Sequence, residues 1–326
     1  MSNLSRPLIA ALALVCAGGA LAAPAVIFDM GGKFDKSFNE AGYRGVEKWK
    51  AETGKPYMEF EISNETQRVQ ALRRMAERGA SPIISIGFSQ ASALQQVAKE
   101  FPKTQFAIID GVVNLPNVAS ITFKEHEGSY LVGVAAALKS KSGKVGFIGG
   151  MDIPLIRKFQ CGYEQGVKAT NAKAETFANM TGTTATAWND PTRGAELAKN
   201  QFAKGVDVVF AAAGGTGAGV YQAAKDAGKL AIGVDSNQNH LQPGTMLTSM
   251  VKRVDVAVYN VLKEFKPGLQ QLGLKEDGVM PAMDEHNAKL FDAATKAKLD
   301  AARADIVSGK IKVNDAMADP AACAKK

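Results

Sequence analysis

Histidine and cysteine are scarce in this chain, three of each in 326 residues. His126, His240 and His286 lie far apart, and neither H-E-x-x-H nor G-x-S-x-G occurs, so zinc-peptidase and serine-hydrolase chemistry find no support. Two or three cysteines without a histidine cluster nearby make no zinc site. Basic residues outnumber acidic ones, 39 to 32, yet no run of five or six like charges exists. The Lys and Arg residues are spread along helical faces as solvating charge. A nucleic-acid binder needs a clustered basic stripe with interleaved aromatics, so nucleic acid is not an expected partner. The glycine stretch 214–219 has neither G-x-G-x-x-G spacing nor a G-K-[ST] ending, which weakens a nucleotide-loop reading. No internal repeat or low-complexity tract interrupts the chain.

What is present is alternation. AVIFD at 25–29 reads as a short strand, and MGGKFDKSFNEAGYRGVEKW after it reads as a glycine-containing turn opening an amphipathic helix. Strands at 57–62, 82–86, 105–109 and 118–123 then alternate with helices at 65–78 and 91–100, the first of these capped by Gly79. The rhythm restarts with helices at 128–138, 155–170, 192–204 and 219–227 and strands at 144–148, 174–177, 206–211 and 230–234. Strand–helix alternation of this kind builds parallel α/β sheets, whose ligand crevices lie beyond the strands' carboxyl ends. Polar residues recur at those ends: Asp29, Phe88-Ser89 after Gly87, Asp110 and Asp235. Two doubly wound parallel-sheet domains with strand mouths facing a shared cleft are expected, and such clefts are preferred ligand sites.

Residues 1–22 read as an export leader: Arg6, an apolar run over Leu8–Leu21, then the small-x-small pattern Ala20-Leu21-Ala22. Pro24 disfavours cleavage after Ala23, so the mature chain is expected to start at Ala23. Cys16 follows Leu14-Val15, where lipid attachment wants a small residue, and no lipid anchor is expected. Roughly 300 mature residues suit two domains rather than one. Cys161 and Cys323 survive processing. In an oxidising compartment they either pair, tying the C-terminal tail to a helix, or stay apart as a small buried residue and a free-end thiol.

Five ordered segments carry a resemblance: DMGGKFDKSFNEAGYRG (29–45), FKEHEGSYLVG (123–133), VGFIGGMDIP (145–154), AAGGTGAGV (212–220) and SMVKRVD (249–255). In that order, over nearly the whole mature chain, they resemble the basic membrane protein family, the nucleoside-binding components of ABC importers. The resemblance implies the type I periplasmic-binding fold, two lobes joined by three crossings that close on ligand like a hinged trap. Crossings are then expected near Phe123–Lys124, Val251–Lys252 and Leu272–Lys275. The lobes become 23–124 plus 252–273 and 125–251 plus 274–326. By the same resemblance Phe38 stacks on one face of a base. Trp188, in Ala187-Trp188-Asn189-Asp190-Pro191, stands where the family usually has Phe and stacks on the other. Asp29, Asn39 and Asp110 address the base edge and sugar, while Gly214, Asp235 and Lys252 contact ribose hydroxyls. Trp in place of Phe leaves the choice between purine and pyrimidine open.

The residues suit that role chemically. Every nucleobase has a π-face, and carboxylates accept hydrogen bonds from sugar hydroxyls and purine N–H groups. Several acids around a single cation also predict repulsion of phosphate, so nucleosides are expected to bind better than nucleotides. Ligand binding is therefore assigned to Asp29, Phe38, Asn39, Phe88, Asp110, Trp188, Gly214, Asp235 and Lys252, with no catalytic residue, metal or cofactor. The expected protein is a monomeric periplasmic receptor delivering a nucleoside, a purine one by preference, to an inner-membrane ABC permease and its ATPase. A receptor for a sugar or another small solute is the alternative. A nucleoside-processing enzyme is a further one, though Asp29 and Asp35 are too few for the calcium cluster a nucleoside hydrolase wants.

Overall fold

The computed structural model describes residues 23–324, so the leader and Cys16 lie outside the described residues. The first half runs β1 (Ala25–Phe28), α1 (Phe38–Thr53), β2 (Met58–Glu61), α2 (Gln67–Glu77), β3 (Ile83–Ile86), α3 (Ala91–Glu100), β4 (Phe106–Ile109) and β5 (Val118–Phe123). The second runs α4 (Glu125–Lys139), β6 (Lys144–Met151), α5 (Pro154–Thr170), β7 (Glu175–Gly182), α6 (Pro191–Ala203), β8 (Val208–Ala212), α7 (Gly217–Asp226) and β9 (Leu230–Asp235). The last part, which the alternation left unassigned, adds β10 (Met246–Lys252), α8 (Val254–Lys263), β11 (Gly268–Leu272), β12 (Val279–Pro281), α9 (Ala293–Val307) and α10 (Pro320–Ala324).

Two six-stranded sheets result, ordered β11-β5-β4-β3-β1-β2 and β12-β10-β9-β8-β6-β7. All pairings are parallel except β10 with β12. The central strands β1, β3, β4 and β8 are buried at every residue. Helices cover both their faces, which is why they read as continuous apolar runs rather than alternating ones. The protein thus consists of two doubly wound α/β domains.

The chain passes between the sheets three times: after Phe123, after Lys252, which is still paired to Val279, and between Leu272 and Val279. At the first passage Lys124 N–H donates to Leu272 O, so two of the passages are bonded side by side. Close helix approach depends on glycine. A Cβ at Gly45 of α1 would lie 2.3 Å from Asp255 O of α8. Where α4 meets α5, a Cβ at Gly162 would lie 2.3 Å from His126 O, and one at Gly166 would lie 2.0 Å from Tyr130 O. Both separations are far inside van der Waals contact, so α4 and α5 touch backbone to backbone. That contact fixes which α5 side chains face the space between the sheets.

Cys161 of α5 and Cys323 of α10 are brought together and bonded, with Cα atoms 5.5 Å apart. The structure therefore holds the paired arrangement of the two left open by the sequence. Gly162→Ala must push α5 away from α4, and overpacking of this kind costs about 1–3 kcal/mol. Urea unfolding of the variant should show a lower midpoint with an unchanged slope. An unchanged midpoint would mean the helices do not meet as described.

Candidate ligand cleft

The carboxyl ends of β1, β3 and β4 face those of β6, β8 and β9 across a gap closed by direct bonds. Ser37 Oγ donates to Asp235 Oδ2 (2.7 Å) and Ser236 Oγ to Ser37 O (2.6 Å). Arg44 donates to Ser236 Oγ (2.8 Å) and Gln238 Nε2 to Lys36 O (2.9 Å). Residues of the α1 segment and of the β9 mouth therefore hold each other, and the structure is a closed form. Between them lies a cavity of about 70 Å³ lined by residues of both sheets' strand mouths and of α5.

On the first side, Asp29 follows β1. Its N–H donates to Asn39 Oδ1 (3.1 Å), and its carboxylate accepts from Met30 N–H (2.9 Å) and from Ser89 Oγ. Arg68 adds an ion pair at 3.4 Å. Gly87 must lack a side chain, because a Cβ there would overlap the Asp29 carboxylate. Asp35 accepts the backbone N–H groups of Ser37 (2.8 Å), Asn39 (3.0 Å) and Glu40 (3.2 Å). It thereby caps the start of α1 and sets the direction of Phe38. Burial pushes the Asp35 carboxyl up to about 6, against the lowering effect of those N–H groups. Asn39 is engaged on the protein side, its Nδ2 donating to Asp29 O (3.4 Å) and Asp35 Oδ2 (3.3 Å). It holds the two acids in place while lining the cavity.

On the second side, the Asp190 side chain accepts from Arg193 N–H (2.9 Å) and caps α6 behind Pro191. Trp188 is thus fixed just ahead of that helix. Its ring needs Gly150: a Cβ there would sit 2.1 Å from the indole. Gly214, at φ +57, passes 3.3 Å from Trp188 O measured from where its Cβ would be.

Lys252, 3% exposed, ends β10 in the middle of the site. Its Nζ lies 2.6 Å from Asp110 Oδ2, 3.6 Å from Glu125 Oε1 and 3.6 Å from Asp235 Oδ1. It also stands 4.7 Å over the Phe38 ring centroid. Asp110 and Asp235 occupy matching places after β4 and at the end of β9. Both have positive φ, 65° and 62°, a conformation that aspartate tolerates better than most residues. The backbone at each mouth thus turns its carboxylate inward. Burial pulls the Lys252 ammonium down, but Asp110, Asp235 and Glu125 together raise it, and it stays charged. Asp110 is raised to about 6, by burial first, with Lys252 opposing and Glu125 and Asp235 adding repulsion. Its Oδ1 is buried with no hydrogen-bond partner among the described residues. An acceptor in that state fits a ligand that donates a hydrogen bond.

All nine residues assigned from sequence line this one cavity. Reading strand mouths missed the wall made by α5, where Leu155, Ile156 and Phe159 close the site. A signal existed in the helical spacing of those residues, but a helix face alone does not say what it covers. It also missed Glu125, 1% exposed at the first residue of α4. That helix was expected to begin at Gly128, where the apolar run starts. Among the described residues no group of three His, Cys, Asp or Glu is placed to hold a metal.

Comparison with known proteins decides the family. Residues 23–317 match the family model Bmp, described as ABC transporter substrate-binding protein PnrA-like. The chain belongs to the Bmp family. It is 32% identical to the ABC transporter nucleoside-binding protein BmpA of Lactococcus lactis, covering 89% of this chain and 88% of that one. It is 34% identical to an uncharacterized lipoprotein of Pyrococcus furiosus, over 78% of this chain and 68% of the other. A solved ABC transporter solute-binding protein of Aeropyrum pernix superposes with TM-score 0.82 at 29% identity, covering 89% and 92% of the two chains. This Bmp protein is accordingly a substrate-binding component of an ABC importer, not an enzyme. Such components deliver ligand to a permease and its ATPase, and the fold is the type I solute-binding fold.

One consequence concerns pH. A ligand donating to Asp110 Oδ1 favours the ionised carboxylate and lowers its pKa below the free value near 6. Affinity should then be level above neutral pH and fall as pH drops through 6, by about tenfold per unit at most for one proton. Calorimetry across that range checks it, with Asp110→Asn flattening the acid limb. A wild-type affinity that rises toward acid would contradict it.

Proposed function

We propose that this protein captures a nucleoside, a purine one by preference, between its two lobes and hands it to its importer. The observation that carries this reading is the cavity's composition. Phe38 and Trp188 enter it from different lobes, and its polar lining consists of four aspartates, the Asn39 amide and the Lys252 ammonium, with Asp110 and Asp235 at that ammonium. A flat heterocycle suits the rings, and a ribose with adjacent hydroxyls suits an unpartnered Asp110 oxygen beside Lys252. Asp29, Asp35, Asp110 and Asp235 line the cavity with Lys252 as the single cation among the described lining residues, which disfavours a phosphate. The name of the Lactococcus relative supports the same ligand class.

In this reading Phe38 and Trp188 sandwich the base, with Phe88 beside it. Asp29 takes a base-edge donor, held in place by Asn39. Asp110, Asp235, Lys252 and the Gly214 backbone hold the sugar. Lobes 23–124 plus 252–273 and 125–251 plus 274–326 swing about the three passages. Ligand contacts both lobes only when they are closed, so binding shifts the population toward the closed form. We assign residues 1–22 as a cleaved leader and the mature chain as a monomeric periplasmic protein without a lipid anchor, unlike relatives named lipoproteins. In that compartment Cys161 and Cys323 stay paired.

Calorimetry against adenosine, guanosine, inosine, uridine, free bases and ribose tests the reading. Nucleosides should bind and their monophosphates should not. Trp188→Ala should weaken nucleoside binding by about 1–3 kcal/mol, or roughly 5- to 150-fold. Heat with ribose alone, or an unchanged affinity in the variant, would overturn the stacking claim.

A further inference from the structure

A buried charge chain runs from the cavity to the C-terminal tail. Glu125, on the far side of Lys252, is ion-paired through Oε2 to Lys158 Nζ at 2.9 Å. Lys158 is 4% exposed on α5, between the cavity-lining residues Ile156 and Phe159. It donates to Phe123 O (2.7 Å) at the first passage between the sheets, and lies 3.5 Å from Asp315 Oδ2. The tail around Asp315 is held to the same helix. Gln165 Nε2 donates to Asn314 O (3.0 Å), Asn314 N–H donates to Gln165 Oε1 (2.8 Å), and Cys323 is bonded to Cys161.

From this geometry we infer that Lys158 is a positioning residue for ligand binding: it neutralises Glu125, leaving the Lys252 ammonium to Asp110 and the ligand. The inference rests on the nucleoside reading only for the choice of titrant. Lys252 faces Asp110, Glu125 and Asp235 within 3.6 Å, three acids for one cation. A buried carboxylate stripped of a partner either takes a proton or draws on whatever cation remains. Without Lys158, that cation is Lys252. Glu125 would then compete with the ligand and with Asp110 for the same ammonium. The groups facing Glu125 are Lys252 from β10, Lys158 from α5, Asp110 from the β4 mouth and His126 beside it on α4, while Asp235 of β9 and Asp315 of the tail face Lys252 and Lys158. His126 is held low by burial and by Lys158, opposed by Asp315, Glu127 and Glu125, and so contributes little charge at neutral pH. Lys158 itself is pulled down by burial but carried up by Glu125 and Asp315, and it stays charged. The contact that brings Lys158 to Glu125 is the glycine-mediated crossing of α4 and α5. Asp315 and the tail bonds hold Lys158 from behind.

The test is a cycle of Lys158→Met, Glu125→Gln and the double variant in the full mature protein, titrated with the tightest nucleoside of the panel from about pH 5 to 8. K158M should bind at least about tenfold more weakly than wild type at pH 8, the size of couplings within one charge network, and its deficit against wild type at the same pH should shrink toward acid as Glu125 takes a proton. K158M/E125Q should bind like wild type and lose that pH-dependent deficit. In ligand-free protein, acidification should give K158M one neutral-carboxyl infrared band beyond those that Asp35 and Asp110 give in the wild type, and that extra band should be absent from the double variant. That readout holds whatever ligand the site takes, so a wild type deaf to every nucleoside would end the nucleoside reading without touching this one. K158M with wild-type affinity at every pH, or a double variant as weak as K158M, would overturn the proposal. If K158M fails to fold, a folded double variant that binds normally supports it. A double variant that is weak or unfolded shows that packing, not charge, is what Lys158 supplies.

Discussion

One buried ammonium organises this molecule. Lys252 sits where β10 hands the chain back to the first sheet, and carboxylates reach it from the β4 mouth, the β9 mouth and the start of α4. Removing such charges from water costs several kcal/mol per ion, and the attraction between them offsets this only when geometry and hydrogen bonding are complete. Here they are not complete. Asp110 keeps one oxygen without a partner among the described residues, and three acids face Lys252, of which Glu125 has Lys158 as a second cation. A ligand hydroxyl at that oxygen would finish the arrangement. The incompleteness is thus a reason for the site to bind, and the surplus of negative charge a reason for it to prefer a neutral, donor-rich partner.

The same acids also tie the lobes together. Asp235 accepts from Ser37 as well as facing Lys252, so the group that would meet the sugar is also a group that holds the cleft shut. Its neighbour Ser236 bonds both the Ser37 carbonyl and Arg44. Closure and ligand contact therefore draw on the same few atoms. A hinged binder needs this property if ligand is to shift the balance between open and closed forms. The left-handed backbone at Asp110 and Asp235 shows that each strand end is bent to aim its carboxylate inward.

Much of this could be read from the chain, and the parts that could not have physical reasons. Strands β1, β3, β4, β8 and β9 announced themselves as short apolar runs ending at Gly or Asp or just before them, while the edge strands β2 and β7 were legible only from their place in the alternation. β11 did not: GLQQL is a polar edge strand, mostly exposed. β12 is three residues long and exists only because β10 offers it an edge. Strand mouths pointed to Asp29, Asp110 and Asp235, since fold topology fixes where parallel strands end. Lys158 and Glu125 were invisible to that reasoning. Each looks like an ordinary helix charge until Gly162 lets α5 lie against the His126 backbone. The legible hint was a lysine on the apolar face of α5, between Ile156 and Phe159. A charge on a buried helix face needs a partner, but the partner's identity is a tertiary fact.

The most direct measurement is a crystal structure of the protein with the nucleoside it binds most tightly. The account predicts the base lying flat between the Phe38 and Trp188 rings, with a ribose hydroxyl on the free Asp110 oxygen and within reach of Lys252. A ligand lying outside that sandwich, or an Asp110 oxygen left empty in the complex, would contradict it.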